Sequence, residues 1–169
     1  MVTGGEKMRV TVMRVDDRLI HGQIITRWID YAEAKRILVV DDKAAGDAMQ
    51  QMLLKLAVPS GIKLEILSKE EGIKRIQSDT TNDNVLLLMR NPEQARQFLE
   101  MGFEIKTINI GNISNSKSET GRKKILDYIY LEEGDVAAMR ALLKMGIQLD
   151  VRAIPTERAK DGAELLKKY

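Results

Sequence analysis

The sequence predicts a single-domain α/β fold, an open, doubly wound, mainly parallel sheet with helices on both faces. The first observation is that short apolar runs alternate with segments of helical period along the whole chain. The second is that the runs 36–41 and 84–89 are almost wholly apolar, as strands buried on both faces of a parallel sheet are. The third is a length of 169 residues without an internal repeat or linker, which fits one domain with a full core.

Four strands are predicted in the first half of the chain, from apolar residues that alternate or run continuously at 8–15, 36–41, 62–67 and 84–89. A helix between the first two is predicted from residues at the 3.6-residue period: Ile24, Ile25, Trp28, Ile29 and Ala32. A second helix is expected to bury four residues spaced i, i+3, i+4 and i+7: Met49, Met52, Leu53 and Leu56. It ends at Pro59-Ser60-Gly61, and a charged helix over 69–77 is expected to direct Ile73 and Ile76 inward.

The next helix is predicted to begin at Asn91-Pro92 and to end at Gly102. Asparagine is a good N-cap residue, proline suits the first helical position, and glycine suits the position after a helix. Further strands are predicted from apolar and β-branched patterns at 105–110, 124–131 and 147–154. The polar segment 111–117 is expected to form a loop at the end of the first of these strands.

Two helices complete the predicted fold. Asp135 is expected to cap the first of them, which ends at Gly146. Pro155 is expected to open the second, which ends in Leu165, Leu166 and a basic tail.

The composition excludes several functional classes. A net charge of +2 and an aromatic content of 4% argue against a nucleic-acid partner. The absence of cysteine excludes disulfides and thiol catalysis. No apolar run approaches the roughly 20 residues that span a bilayer, and the start of the chain lacks the apolar core of a signal peptide. We therefore expect a flexible extension at 1–7, a domain at 8–169 and a cytoplasmic location.

The stretch 14–23 concentrates the reactive side chains, with two arginines, two aspartates and the only histidine of the protein. It joins the first predicted strand to the first predicted helix, so His21 comes just before a helix N-terminus. Free backbone N–H groups and the helix dipole make such loops favourable sites for anions. The stretch therefore favours a phosphoryl group carried by His21.

The residues around His21 have the chemistry that phosphoryl transfer needs. A neutral imidazole can attack phosphorus through one nitrogen while the other is held by a carboxylate, here Asp16 or Asp17. Transfer spreads negative charge over three oxygens, so catalysis depends on positioning and charge stabilisation. Arginine forks suit those oxygens, which makes Arg14 and Arg18 candidates for binding them.

The same residues also have ordinary structural interpretations. A single histidine is often structural, and Asp17 fits an Asx turn or a helix cap. The two arginines could form surface ion pairs with the aspartates. Gly22 allows close approach of the backbone, and amides from Gly22 onward can donate to an anion, but Gln23 also fits a solvated first turn. The spacing alone therefore favours phosphate chemistry only weakly.

Other chemistries lack their usual residues. One histidine and no cysteine argue against zinc, and neither a phosphate loop nor a dinucleotide-binding glycine motif is present. Asp41 and Asp42 could bind Mg²⁺, but a helix cap or a place on the rim of the site is the favoured interpretation. We expect no metal and no cofactor.

The stretch from Arg14 to Ile24 resembles the active-site motif of the IIB component of the mannose/fructose/sorbose class of the bacterial phosphotransferase system (PTS). The similarity extends from Met8 to the end of the chain. Further matching segments follow in the family's order: Val40-Asp41-Asp42 with Ala44 and Asp47, Pro59-Ser60-Gly61, Arg90-Asn91-Pro92, Ile108 to Gly111, Gly146-Ile147 and Ile154-Pro155.

The resemblance implies an enzyme, a protein-phosphohistidine–sugar phosphotransferase. Such a subunit accepts a phosphoryl group from the phosphohistidine of IIA and passes it to a sugar that enters through the IIC/IID membrane complex. His21 would carry the group on Nδ1, Arg14 and Arg18 would bind its oxygens, and Asp16 and Asp17 would order the loop.

The resemblance also implies residues on the rim of the site. Asn109 and Gly111 fall where the family has a glycine-rich loop at a neighbouring strand end, so we expect them on the same rim as Asp41. Asn112 stands where a second glycine is common, and whether this departure alters the approach of the loop to the site is left open by the sequence.

The partners implied are IIA, the IIC/IID complex and a sugar of the mannose, fructose, sorbose or amino-sugar type. A homodimer and a peripheral association with the membrane transporter are further expectations. Two alternatives remain open at the level of sequence, both on the same scaffold and without sugar transfer. One is a regulatory phosphohistidine protein, and the other is an anion-binding protein.

Overall fold

A computed structural model describes residues 7–169, and over this range the chain forms nine strands, seven α-helices and one short 3-10 helix, Asn115–Lys117. The strands are β1 (Arg9–Asp16), β2 (Arg36–Val40), β3 (Lys63–Leu67), β4 (Asn84–Met89), β5 (Thr107–Asn112), β6 (Lys123–Leu126), β7 (Ile129–Leu131), β8 (Gln148–Val151) and β9 (Lys160–Asp161). The helices are α1 (Ile24–Ala32), α2 (Asp42–Ala45), α3 (Ala48–Ala57), α4 (Lys69–Ser78), α5 (Pro92–Glu100), α6 (Glu133–Lys144) and α7 (Gly162–Leu166). The predicted extension, 1–7, lies outside the described residues except for Lys7, which is exposed.

The main sheet has the strand order β3-β2-β4-β1-β5-β8-β9. Its first six strands run parallel, and the short β9 pairs antiparallel with β8. Apolar residues of α1 and α3 pack on one face, and those of α4, α5, α6 and α7 pack on the other. The predicted doubly wound α/β fold with a mainly parallel sheet is confirmed.

The middle of the sheet forms the core because its strands are apolar on both sides. All five residues of β2 and the last five of β4 are buried. Burying side chains such as Ile37 and Leu87 contributes about 1.5–3 kcal/mol each. The strand β1 lies between β4 and β5, so its carboxyl end is held on both sides.

Local capping matches the sequence where the predicted residue types are strong. The side chain of Asn91 accepts a hydrogen bond from the backbone N–H of Gln94 at 2.9 Å, and Pro92 opens α5. Gly102 and Gly146 follow α5 and α6 with φ of 109° and 85°, a region that favours glycine. These helix boundaries are therefore set by local chemistry.

The predicted inward face of α3 is wrong. Its four residues are exposed by 53% to 78%: Met49, Met52, Leu53 and Leu56. The buried residue of this helix is Leu54, and Gln51 Nε2 donates to the carbonyls of Ala44 and Ala45 at 3.0 Å each. The helix lies near the edge strand β3 and is anchored through this polar side, so the apolar stripe faces outward.

The predicted strand 124–131 is instead a hairpin in a separate two-stranded sheet. Lys124 pairs antiparallel with Tyr130, and residues 127–128 form the turn. The predicted cap at Asp135 is also wrong, because Glu132 is the N-cap residue of α6. Asp135 Oδ2 instead accepts the backbone N–H of Glu132 at 3.0 Å, as the third-residue partner in a capping box.

The end of the chain differs from the prediction as well. The strand β8 stops at Val151, and Pro155 lies in a turn rather than opening a helix. The turn is held because Arg152 Nη1 donates to the Pro155 carbonyl at 2.8 Å. The chain then reverses into β9, and Asp161 caps α7 by accepting from the backbone N–H of Ala163 at 3.0 Å.

Candidate active site

The stretch 17–23 forms the loop between the carboxyl end of β1 and the start of α1, as predicted. The helix α1 leaves β1 toward one face of the sheet, whereas α5 leaves the neighbouring strand β4 toward the other face. A crevice opens at such a reversal, and ligands of open α/β sheets bind there. The loop therefore occupies the position where this fold class places its chemistry.

Asp16, the last residue of β1, connects the charged residues of the loop. Its side chain is buried, with 1% exposed. Oδ2 lies 2.9 Å from Nη2 of Arg14 and 2.8 Å from Nε2 of His21. Oδ1 accepts the backbone N–H of Arg18 at 2.9 Å. Both carboxylate oxygens are thus occupied by residues of the predicted motif.

Arg14 lies behind Asp16 and is 1% exposed. Its Nη1 donates to Oδ1 of Asn109 at 2.7 Å, and its Cζ lies 4.9 Å from the centre of the Trp28 ring. A Cβ added to Gly111 would lie 1.9 Å from Nη1, so glycine is required beside the guanidinium. This burial is incompatible with the predicted direct contact between Arg14 and phosphoryl oxygens.

The surroundings of Asp16 and Arg14 determine the charges of these two side chains. Burial raises the pKa of Asp16, but the hydrogen bond from His21 and the charge of Arg14 outweigh it, and the pKa lies below its ordinary value. Burial lowers the pKa of Arg14, and the Asp16 carboxylate opposes that change. An arginine remains charged in proteins, so a buried ion pair lies beneath the loop.

The imidazole of His21 is oriented by Asp16. Its side chain is 19% exposed. An ionised carboxylate can only accept hydrogen bonds, so Nε2 carries the proton that points to Asp16 Oδ2. Nδ1 then holds the lone pair of the neutral ring and has no hydrogen-bond partner between residues 7 and 169. The geometry leaves Nδ1 as the ring nitrogen with a free lone pair.

Arg18 differs from Arg14 because it is exposed. Within the described chain its backbone N–H is bound by Asp16, and its guanidinium makes no hydrogen bond or ion pair. The side chain is therefore anchored at its base and keeps all five N–H donors available.

Asp17 joins the loop to the end of the neighbouring strand β5. Its Oδ1 accepts from Asn112 Nδ2 at 2.7 Å, and its Oδ2 accepts from the backbone N–H and hydroxyl of Ser114 at 2.8 and 2.6 Å. The backbone N–H of Asp17 also donates to the Asn112 carbonyl at 3.1 Å. Asp17 is thus neither a helix cap nor an Asx turn, and its role in ordering the loop depends on Asn112 and Ser114. Sequence reasoning singled out Asn112 only as a departure, and no pattern pointed to Ser114.

Gly22 and Gln23 complete the loop on its exposed side. Gly22 has φ of 54°, and Gln23 is the N-cap residue of α1 without a side-chain capping bond. The first turn of α1 contains no acidic residue, so its free N–H groups are not offset by a carboxylate there. This end of α1 can accept an anion.

The residues predicted on the rim separate into two groups. Asn109 and Gly111 lie beneath the loop, in contact with Arg14. Asp41 lies at the end of β2, with β4 between it and β1. Its carboxylate accepts the Ala44 N–H at 2.9 Å and pairs with Arg90 Nη2 at 2.9 Å. Asp41 therefore caps α2 and holds Arg90, and it does not contact His21.

The described part of the chain contains neither a metal-binding cluster nor a membrane-spanning helix. From residue 7 to residue 169, no group of three or more His, Cys, Asp or Glu side chains is arranged to hold a metal ion. Over the same range, no helix combines the length and apolar content required to cross a bilayer.

Comparison with known proteins gives one consistent group of relatives. The family described as "PTS system sorbose subfamily IIB component" matches residues 10–169. The fructose-specific EIIB component of Bacillus subtilis is 34% identical over 95% of this chain and 97% of its own length. The sorbose-specific EIIB component of Klebsiella pneumoniae is 33% identical over 89% of this chain and 90% of its own length.

Structural comparison agrees with the sequence comparison. The crystal structure of the IIBSor domain of the sorbose permease from Klebsiella pneumoniae superimposes with a TM-score of 0.85 and 31% identity. It covers 95% of this chain and 98% of that domain. The manxB structure from Thermoanaerobacter tengcongensis has a TM-score of 0.86 at 27% identity, over 97% and 98% of the two chains.

Proposed function

Because the chain belongs to the sorbose subfamily of PTS IIB components, we propose that His21 is the residue that carries its phosphoryl group. Members of this family are phosphotransferase subunits that act in sugar transport, together with IIA and the IIC/IID membrane components. Residues 8–169 form the IIB domain. The regulatory and anion-binding alternatives are not favoured, since the relatives are named as fructose- and sorbose-specific EIIB components of PTS systems.

The observation that carries the proposal is the contact between His21 Nε2 and Asp16 Oδ2 at 2.8 Å. With Nε2 protonated, the lone pair of Nδ1 attacks the phosphorus of the IIA phosphohistidine. The bond between phosphorus and the donor nitrogen breaks, and its electron pair stays on the donor ring. The imidazolium that forms on His21 is stabilised by the Asp16 carboxylate.

The second transfer proceeds in the same manner. A sugar hydroxyl oxygen attacks the phosphorus, the bond to Nδ1 breaks, and its electron pair returns to the His21 ring. The hydroxyl proton passes to a base of the membrane complex. Nε2 keeps its proton in both steps, so Asp16 supports the same tautomer before and after each transfer.

Two groups of this chain stabilise the negative charge on the phosphoryl oxygens during transfer. Arg18 donates its fork to the phosphoryl oxygens, because its guanidinium is exposed and otherwise uncommitted. The N–H groups that follow Gly22 and Gln23, at the start of α1, donate to the same oxygens. Arg14 contributes through Asp16 rather than by contact with the substrate.

The acceptor is a sugar of the kinds that the relatives' names give, fructose, sorbose, mannose or N-acetylgalactosamine. Transfer to a transported sugar requires His21 to face the IIC/IID complex, so we place the chain peripherally at the cytoplasmic side of the membrane. The exposed loop supports this arrangement, since donor and acceptor must both reach Nδ1.

Self-association as a homodimer is a separate proposal, and the exposed stripe of α3 supports it. These four apolar residues share one face of the helix and are 53% to 78% exposed, and a contiguous exposed apolar patch marks an interaction surface: Met49, Met52, Leu53 and Leu56. Sedimentation at increasing concentration tests it, with Leu53→Lys as the variant expected to shift the equilibrium toward a single chain. A constant mass of one chain for the unmodified protein rejects the homodimer.

Phosphoryl transfer from phosphoenolpyruvate through enzyme I, HPr and IIA tests the main proposal. We expect an acid-labile, base-stable label on the unmodified chain and none on His21→Ala, with the fold of both verified by circular dichroism. Nitrogen-15 spectra of the phosphorylated protein identify the modified nitrogen. A label that persists in His21→Ala, or a signal from phosphorylated Nε2, overturns the proposal.

A further inference from the structure

A chain of hydrogen bonds runs beneath the loop from Asn109 to His21. Asn109 Oδ1 accepts from Arg14 Nη1 at 2.7 Å, Arg14 Nη2 donates to Asp16 Oδ2 at 2.9 Å, and that oxygen accepts from His21 at 2.8 Å. Asn109, Arg14 and Asp16 are at most 3% exposed. Water therefore cannot reach these three side chains to replace a hydrogen bond that is lost between them.

We propose that Asn109 is a positioning residue for phosphoryl transfer. By holding the Arg14 guanidinium, it keeps Asp16 Oδ2 directed at Nε2 of His21, and this selects the tautomer that leaves Nδ1 free. The inference deepens the proposed role of His21 and rests on it, although the tautomer can be measured without any transfer.

The orientation of the Asn109 amide is determined by its other contacts. Nδ2 donates to the carbonyls of Asp150 at 3.0 Å and Arg152 at 3.1 Å. Rotating the amide by 180° would direct Oδ1 at these two carbonyls and Nδ2 at Arg14, so that no hydrogen bond would remain. The end of β8, with the residue that follows it, thus fixes the acceptor that Arg14 meets.

Arg14 depends on Asn109 because the rest of its surroundings is closed. The Trp28 ring lies against one face of the guanidinium, and the backbone at Gly111 lies against Nη1. Among the described residues, Asn109 Oδ1 is the acceptor for Nη1, and Asp16 Oδ2 is the acceptor for Nη2. Without Asn109, Nη1 loses its acceptor, so the orientation of the guanidinium, and with it the direction of Asp16 Oδ2 toward His21, is no longer fixed.

A second asparagine–arginine pair in the same sheet provides a matched control. Asn84 Oδ1 accepts from Arg9 Nε at 3.1 Å, also between neighbouring strands. That pair is exposed and lies at the opposite end of β1 from the loop. A change at Asn84 removes the same type of contact without touching Asp16.

The test compares Asn109→Leu, Asn109→Ala and Asn84→Leu with the unmodified protein. His21 is the only histidine, so nitrogen-15 spectra of labelled imidazole report its tautomer directly, with the ring kept neutral. We expect both Asn109 variants to lower the ratio of the Nε2–H to the Nδ1–H form about fivefold, the factor that one net hydrogen bond supplies. Asn84→Leu is expected to leave the ratio unchanged.

Transfer kinetics separate positioning from stability. Both Asn109 variants are expected to lower the rate at saturating phospho-IIA about fivefold or more, with an unchanged KM for phospho-IIA. Asn109→Ala keeps the test usable if the leucine variant does not fold. A lower melting temperature with an unchanged tautomer ratio would reduce Asn109 to a structural role and overturn the inference. Absence of phosphorylation in the unmodified chain would instead refute the proposed function and leave the tautomer result intact.

Discussion

His21 Nε2 and Asp16 Oδ2 lie 2.8 Å apart, although five positions separate the two residues along the chain. The loop brings them together because Leu19 adopts a left-handed backbone conformation, with φ of 61°, that turns the chain back over the end of β1. The side chain of Leu19 is buried, and its N–H donates to the Asp16 carbonyl at 2.9 Å. Packing and this hydrogen bond hold a conformation that is unfavourable outside glycine.

The Asp16→Asn variant is expected to lose transfer activity by about 100-fold or more, by analogy with asparagine in place of a histidine-orienting aspartate. An amide has one acceptor oxygen, whereas Asp16 accepts at Oδ1 from Arg18 and at Oδ2 from both Arg14 and His21. One of these donors must face the NH₂ group. The rate of labelling from phospho-IIA measures the loss.

The control for this variant is Asp30→Asn, an exposed position on α1. It removes the same charge without touching the loop, so its labelling rate is expected to equal that of the unmodified protein. Asp16→Asn should also have a lower free energy of unfolding, by up to about 5 kcal/mol, because Arg14 loses its buried counter-ion. A stable Asp16→Asn variant with normal transfer would contradict the role given to Asp16.

Gly111→Ala is expected to displace Arg14. The added methyl group would lie 1.9 Å from Nη1, and the guanidinium has no free volume because Trp28 covers its face. Overpacking of this kind costs about 1–3 kcal/mol, and transfer should slow with it. Gly134→Ala, which meets nothing within 4 Å in the first turn of α6, should instead stabilise the protein by about 0.5–1 kcal/mol. Urea denaturation of both variants measures the difference.

Two leucines of α3 provide a test of the outward-facing stripe. Leu54→Ala is expected to lower the free energy of unfolding by about 2–4 kcal/mol, because Leu54 is 5% exposed. Leu56→Ala should change it by no more than about 0.5 kcal/mol, since Leu56 is 78% exposed. Both are measured by denaturation at concentrations where the protein is a single chain. An equal loss for the two variants would restore the inward face that the periodicity predicts.

Periodicity located α3 from the sequence, but it could not show which side of the helix faces the sheet. The stripe of Met49 and Leu56 satisfies the helical period as well as a core face does, yet the helix lies by an edge strand and is anchored through Gln51. By contrast, β2 and β4 are apolar on both sides, and their central positions followed directly. The pattern of apolar residues therefore predicts burial best for strands that are apolar on both sides.

The site shows the same limit at the level of single residues. Arg18 and His21 are only three positions apart in the chain, so the sequence predicts that they lie on one loop. The contacts of Arg14 with Asn109 and of Asp17 with Asn112 each join residues 95 positions apart. Such pairs depend on the neighbouring positions of β1 and β5, and one sequence contains no signal for that pairing register. In the structure Arg14 therefore lies behind Asp16 and holds its carboxylate, whereas the sequence predicts a contact between Arg14 and the substrate.

A buried ion pair between Arg36 and Asp79, at the end of the sheet away from the loop, should make the free energy of unfolding depend on pH. Burial raises the pKa of Asp79, but its hydrogen bonds from Thr81 and the charge of Arg36 outweigh this and lower it to about 2, from a usual 3.8. A lowered pKa stabilises the fold above the unfolded value, and this contribution is lost as the pH falls through 3.8 toward 2. Asp79→Asn should therefore be less stable than the unmodified protein by about 1–3 kcal/mol at pH 6, with a difference that shrinks below pH 4. Urea denaturation from pH 6 to pH 3 measures it, and a constant difference would contradict the assignment.

Arg18→Ala is expected to slow phosphoryl transfer by more than tenfold, which corresponds to about 1.4 kcal/mol or more of transition-state stabilisation. The melting temperature should not change, because the guanidinium is exposed and makes no contact that supports the fold between residues 7 and 169. Arg18→Lys keeps the charge but loses the bidentate fork, so its rate should lie between the two. Arg14→Lys is the matched comparison, since the same exchange at a buried position should lower stability as well as rate. Equal rates for Arg18→Ala and the unmodified protein would remove Arg18 from the transition state and leave the helix N-terminus as the charge-stabilising group.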